Sequence, residues 1–145
     1  MKLALAAALA GLGVALWAGR RLLDLVEVEG RSMAPTLEPG DLLLVEAVTF
    51  RARRPRVGDV VLSDDPRLSS RELIKRIAAV DPASGSAVLA GDAPDASTDS
   101  RTFGAVPLDA IRWRALGRYW PPARASLMKR SAAAATHASS PAASI

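Results

Sequence analysis

A serine and a lysine are the residues of this chain best equipped to break a covalent bond. Ser32 stands in Gly30-Arg31-Ser32-Met33-Ala34-Pro35-Thr36-Leu37, ahead of the turn Pro39-Gly40-Asp41. Gly30 permits unusual backbone angles beside the serine, Pro35 stiffens the exit, and Met33 can offer an apolar wall to a bound peptide. A serine hydroxyl attacks poorly unless a base takes its proton. Cysteine is absent, and the single histidine, His137, falls in an Ala/Ser/Pro tail. Thiolate chemistry, disulfides, a Ser-His-Asp triad and a histidine metal site therefore lack their donors. Lysines and carboxylates remain as candidate bases. Lys2 and Lys129 lie near the chain ends, arginine stays charged, and that leaves Lys75 as the lysine candidate.

Lys75 lies in Leu73-Ile74-Lys75-Arg76-Ile77. Apolar neighbours strip hydration from the amine, disfavour its charged form and lower its pKa. A neutral amine can accept the serine proton and later return it to a leaving amine. The plainer alternatives are a serine in a β-turn and a lysine facing outward from an alternating strand. A third segment, Gly91-Asp92-Ala93-Pro94-Asp95-Ala96-Ser97-Thr98-Asp99-Ser100-Arg101-Thr102-Phe103-Gly104, adds polar groups. Ser97 could orient the lysine amine through a hydrogen bond, and Asp99 with Arg101 could pair and brace the loop.

The elements that must bring these residues together are legible in outline. An uncharged Ala/Leu-rich stretch of about 17 residues runs from Leu3 to Gly19, between Lys2 and Arg20-Arg21, at the short limit for a membrane-spanning helix. It offers a poor small-residue cleavage site and no polar face, so we read an N-terminal membrane anchor over residues 1–21, with Trp17 at the interface and the lipid bilayer as a partner. This implies a single-pass protein of the cell membrane. The arginines after the span lean the body toward the cytoplasm, but long domains cross regardless of that rule, and both faces stay open.

Residues 22–120 make the folded domain. Short valine- and leucine-rich runs at 26–29, 42–48, 57–62, 73–80, 87–90 and 111–116 predict strands, punctuated by Pro39-Gly40-Asp41, Val57-Gly58-Asp59 and Asp81-Pro82-Ala83-Ser84-Gly85. The last turn closes a hairpin from Ile77 to Leu89. The fold class is mostly β, a small partly closed barrel or sandwich preceded by one transmembrane helix. Residues 121–145 read as a tail without structure. The formal charge of +4, from 19 Lys+Arg against 15 Asp+Glu, is scattered, which predicts a solvated surface and no nucleic-acid partner. The densest run, residues 51–56, could touch lipid headgroups.

The order of these blocks resembles the type I signal peptidase family. The resemblance rests on Ser32-Met33-x-Pro35-Thr36-Leu37 with Gly40-Asp41, then Gly58-Asp59-Val60-Val61, then Lys75-Arg76, then Gly91-Asp92 and Ser97-x-Asp99-Ser100-Arg101-x-x-Gly104. It implies nucleophile Ser32, general base Lys75, lysine-orienting Ser97, a structural pair in Asp99 and Arg101, and an oxyanion donor in the Ser32 N–H. No cofactor is implied. Some relatives carry a hydroxyl two residues before the nucleophile, where this chain has Gly30, and Ala93 replaces the asparagine of a Gly-Asp-Asn block. Arg118-Tyr119-Trp120-Pro121 and Ala90-Gly91-Asp92-Ala93-Pro94 are similar to a branch described as nickel-type superoxide dismutase maturation proteases. The implied partner is a protein precursor, either a secretory preprotein or a superoxide dismutase precursor. Two other readings stay open: a self-cleaving repressor-type Ser/Lys peptidase, and a non-catalytic membrane-tethered β module in which Ser32 and Lys75 never meet.

Overall fold

The computed structural model describes residues 2–131. Helix α1 (Lys2–Leu22) leads into strands β1 (Leu23–Glu27), β2 (Leu42–Glu46), β3 (Val60–Asp65), β4 (Leu68–Asp81), β5 (Ser86–Ala90), β6 (Val106–Pro107), β7 (Ile111–Trp120) and β8 (Ser126–Leu127). One-turn helices α2 (Thr49–Ala52) and α3 (Ser100–Phe103) interrupt them. The strands form one antiparallel sheet in the order β1-β2-β7-β3-β4-β5-β6, with β8 added to β7.

The sequence predicts a partly closed barrel or sandwich, but the sheet is open, because its two end strands, β1 and β6, do not pair. At the β6 end the chain offers too little ladder: Pro107 has no N–H to donate, and only Ser86↔Pro107 and Ala87↔Val106 pair. The hairpin from Ile77 to Leu89 is present, in that register. Its turn is held by Asp81, whose carboxylate accepts from the Ala83 N–H and the Ser84 hydroxyl.

Both faces of the sheet are covered at its centre. Val60, Val61 and Leu62 of β3 are consecutive and all fully buried, which an alternating strand with one wet face could not achieve. Val60 and Leu62 join Val28, Met33, Leu37, Leu43, Val45 and Ala115 in one core, while Val61 joins Ile77, Ala87, Leu89, Val106 and Ile111 in a second.

The Gly-Asp turns fix the edges of these cores. Gly40 and Gly58 adopt φ of 87° and 88°, left-handed angles that side chains resist. The aspartates that follow are buried and receive arginines. Asp41 accepts from the Glu38 N–H, Arg118 and Arg124. Asp59 takes a two-pronged contact from Arg53 and the Arg56 N–H. Several of the interleaved arginines thus neutralise carboxylates that the turns carry inward.

Residues 121–131 also depart from the structureless tail that composition suggests. A 3-10 turn spans Pro122–Arg124, β8 follows, and Met128 packs against the first core. The remaining tail, His137 included, lies outside the described residues.

At the other end, alanine and leucine give α1 its helix propensity. Among the described residues no helix is long and apolar enough to cross a membrane. The spanning helix expected over residues 1–21 is therefore not shown by the structure. Leu5, Leu9, Leu12, Val14 and Leu16 of α1 are all more than half exposed.

Candidate active site

Ser32 sits on the loop leaving β1. The loop turns tightly, with Ala34 N–H donating to the Arg31 carbonyl and Leu37 N–H to that of Met33. Met33 and Leu37, 1% and 0% exposed, pin it to the first core. Met33 is thus corrected from pocket wall to buried anchor, because its apolar side chain gains by leaving water altogether.

Lys75 approaches from the middle of β4, opposite Val61 of β3. Its side chain is buried, with 3% of the residue exposed, and its Nζ lies 2.6 Å from Ser32 Oγ. A protonated amine would donate to that oxygen, and a neutral one would accept the hydroxyl hydrogen. Burial drives the Lys75 pKa below its ordinary value, and the Arg71 cation adds to that. The Asp99 and Asp65 carboxylates oppose it without prevailing.

Asp99 is fully buried at the start of α3. Its Oδ2 accepts from the Gly91 N–H, the Ser97 hydroxyl and Arg101 Nη2, and its Oδ1 from the Arg101 backbone N–H and Nε. Burial by itself would raise this carboxyl; the Arg101 guanidinium and the N–H and O–H donors outweigh it and hold the pKa down at about 2. Arg101 also reaches on to the Pro94 carbonyl. Ser97 is placed differently from the expectation. Its hydroxyl gives its hydrogen to Asp99, a stronger acceptor than an amine, and among the described residues no hydrogen bond joins it to Lys75.

Gly91 is where this loop meets the serine. A Cβ built there would overlap Ser97 Oγ and the Ser32 carbonyl oxygen and lie 2.5 Å from Ser97 Cβ. The Ala93 N–H donates to that same carbonyl at 2.9 Å. Only a residue without a side chain lets the two loops touch.

Sequence reasoning missed the brace behind the lysine. Arg76 binds Asp92 with two parallel bonds of 2.8 and 2.6 Å and donates to the Gly58 carbonyl, and its side chain is almost wholly buried. Burial would raise Asp92, but Arg76 and the Thr36 hydroxyl win and lower it. The signal was available: the hairpin register that pairs Ile77 with Leu89 sets Arg76 opposite Ala90, two residues from Asp92.

Ser32 and Lys75 open into a groove of about 570 Å³. One wall is Val26, Glu27, Glu29 and Gly30, along and beyond β1. The other is the stretch of β4 from Leu68 to Lys75, which lies before β5 begins to pair at Arg76. Extended chain therefore borders the groove on both sides, with a hydroxyl and a dehydrated amine at one place along it.

Residues 1–84 match the family model described as signal peptidase, peptidase S26. The chain is 38% identical over 124 residues to the mitochondrial ATP-independent inner membrane protease subunit 1a of Arabidopsis thaliana, covering 71% of this chain and 74% of that protein. It is 38% identical over 110 residues to the mitochondrial inner membrane protease subunit 1 of Schizosaccharomyces pombe, covering 63% and 70%. With the thylakoidal processing peptidase 1 of Arabidopsis thaliana, a longer protein, it shares 27% identity over 144 residues, covering 68% and 42%. With a family model matching more than half its length and relatives named as proteases, the chain belongs to the peptidase S26, or signal peptidase, family.

Proposed function

We propose that the chain is a membrane-associated endopeptidase that removes N-terminal segments from precursor proteins with a Ser32/Lys75 dyad. The observation that carries the reading is the 2.6 Å approach of a buried, pKa-depressed amine to a loop hydroxyl. Neutral Lys75 takes the Ser32 proton as Oγ attacks the scissile carbonyl. The tetrahedral oxyanion is held by the Ser32 N–H, and its collapse expels the amine, to which Lys75 returns the proton. The acyl-serine that remains is hydrolysed by a water that Lys75 deprotonates in turn. Asp99 and Arg101 position the Gly91 loop against the serine, and Ser97 acts through Asp99. The substrate lies extended in the groove, paired with a strand edge, with small side chains near the cleaved bond.

Helix α1, with its exposed leucines, supports membrane association, and a short anchor at residues 1–21 is its simplest form. The relatives carry names of inner-membrane and thylakoidal proteases, which favours a precursor held at a membrane. The superoxide dismutase precursor stays a second substrate, on the strength of the Arg118-Tyr119-Trp120-Pro121 block. The inert β module is disfavoured by the dyad distance.

The test incubates purified protein with a secretory precursor and, separately, with a superoxide dismutase precursor, and sequences the new amino termini. Ser32→Ala and Lys75→Ala should each abolish cleavage in folded protein. Normal cleavage by either variant means that the dyad is wrong.

A further inference from the structure

Three charged side chains in the groove, Glu27, Glu29 and Arg71, neither pair with the fold nor carry the proton, although the Arg71 cation acts on Lys75 from nearby. Glu27 ends β1 and Glu29 follows it by two residues; both are exposed, line the groove and form no ion pair among the described residues. Arg71 on the facing β4 wall is exposed and likewise without a carboxylate partner. Glu72, the other charge in the groove outside the dyad, differs, because Arg112 lies 3.6 Å from it. The buried aspartates of the Gly-Asp turns are matched with arginines, whereas these three groove charges remain open to a ligand.

Their spacing has a counterpart in an extended peptide. In extended chain, residues i and i+2 point to the same face, roughly 7 Å apart, so Glu27 and Glu29 share one face. A peptide strand laid along β1 sets its own alternate side chains opposite them, and opposite charges so placed attract. Arg71 comes from the other wall and repels a segment that is basic throughout.

We propose that Glu27, Glu29 and Arg71 are specificity determinants of this groove. They select a substrate segment with basic side chains at two alternate positions facing β1 and an acidic side chain facing Arg71. The inference rests on the peptidase reading above and adds a substrate class to it.

The test uses neutral, alanine-centred peptides, the same peptides carrying Lys-x-Lys or Glu-x-Glu on either side of the scissile bond, and a Lys-Asp-Lys version. Cleavage is measured with wild-type protein, and binding by fluorescence anisotropy with the Ser32→Ala protein. Exposed ion pairs imply that the Lys-x-Lys peptide on one flank exceeds its Glu-x-Glu counterpart by roughly two- to thirtyfold in kcat/KM and in affinity. That advantage should shrink as salt is added. Glu27→Lys with Glu29→Lys should reverse the preference, and Arg71→Gln should remove the gain from the central Asp. These ratios do not depend on the amount of folded protein, so a purely structural role would leave them unmoved. Equal cleavage and equal binding of all peptides overturn the charge selection while leaving the peptidase standing. Selective binding without cleavage of any peptide retains the selection and removes the peptidase.

Discussion

The contact between the Gly91 loop and the serine loop makes Gly91→Ala a sharp probe of how the site is assembled. The added methyl would overlap Ser97 Oγ and the Ser32 carbonyl oxygen, and lie 2.5 Å from Ser97 Cβ, where ordinary contact begins at 3.4 Å. Each neighbour must therefore retreat by about 1 Å, since relief short of that leaves atoms overlapping. Retreat pulls on two bonds at once: Ala93 N–H to the Ser32 carbonyl, and Gly91 N–H to Asp99. Overpacking of this kind costs about 1–3 kcal/mol, which for a domain of this size lowers Tm by roughly 4–20 °C. The catalytic cost should be larger, because a displacement of about 1 Å between reacting groups loses on the order of 10²-fold in rate. Initial rates of precursor cleavage, taken well below the lowered Tm, should show kcat falling about a hundredfold. The acidic inflection of the residual activity should stay where it is, since Lys75 remains buried. Gly30→Ala is the stability control: nothing lies within 4 Å of its Cβ position, and Tm should not change. Full activity of Gly91→Ala at wild-type Tm would falsify the claim that this contact sets the serine.

The depressed Lys75 pKa has two consequences of opposite use. Activity that needs the neutral amine should rise with pH through a value below a lysine's ordinary 10.5 and then level off, and a rate still climbing with an inflection at 10.5 would contradict the burial argument. Stability runs the same way: below 10.5 the unfolded chain binds a proton the folded site resists, so the folded state loses ground as pH falls, down to the depressed value. Lys75→Met should accordingly be inactive but raise Tm at neutral pH, with the gain shrinking as pH approaches 10.5. Thermal melts across that range check it, and a lowered Tm at neutral pH counts against it. Asp92→Ala leaves the Arg76 guanidinium buried without its carboxylate and should cost about 3–5 kcal/mol in urea unfolding. A loss under about 1 kcal/mol would show that water or another acceptor reaches Arg76.

Much of the site was readable from residue type because chemistry restricts it so strongly. Without cysteine, and with its histidine in the tail, the chain left Lys75 as the lysine for Ser32, and its apolar sequence neighbours Leu73, Ile74 and Ile77 pointed to the burial that the structure shows. The 77–89 hairpin was equally local, since Asp81 and Ser84 make the turn with their own side chains. Strand ends were less so. Residues 42–48 looked like one strand, but β2 stops at Glu46, whose Oε2 accepts the Thr49 N–H and starts α2.

Amino-acid order thus determined which groups could react and the punctuation between strands, because polarity, charge and backbone freedom belong to single residues or near neighbours. Tertiary structure alone decided what those groups meet. Nothing local says that Met33 faces the core, that Ser97 gives its hydrogen to Asp99, that Asp41 and Asp59 collect distant arginines, or that the sheet stops short of closing. Each of these is a competition among partners far apart in the chain, and it is settled only when packing fixes which acceptor, which cavity and which strand edge lies within reach.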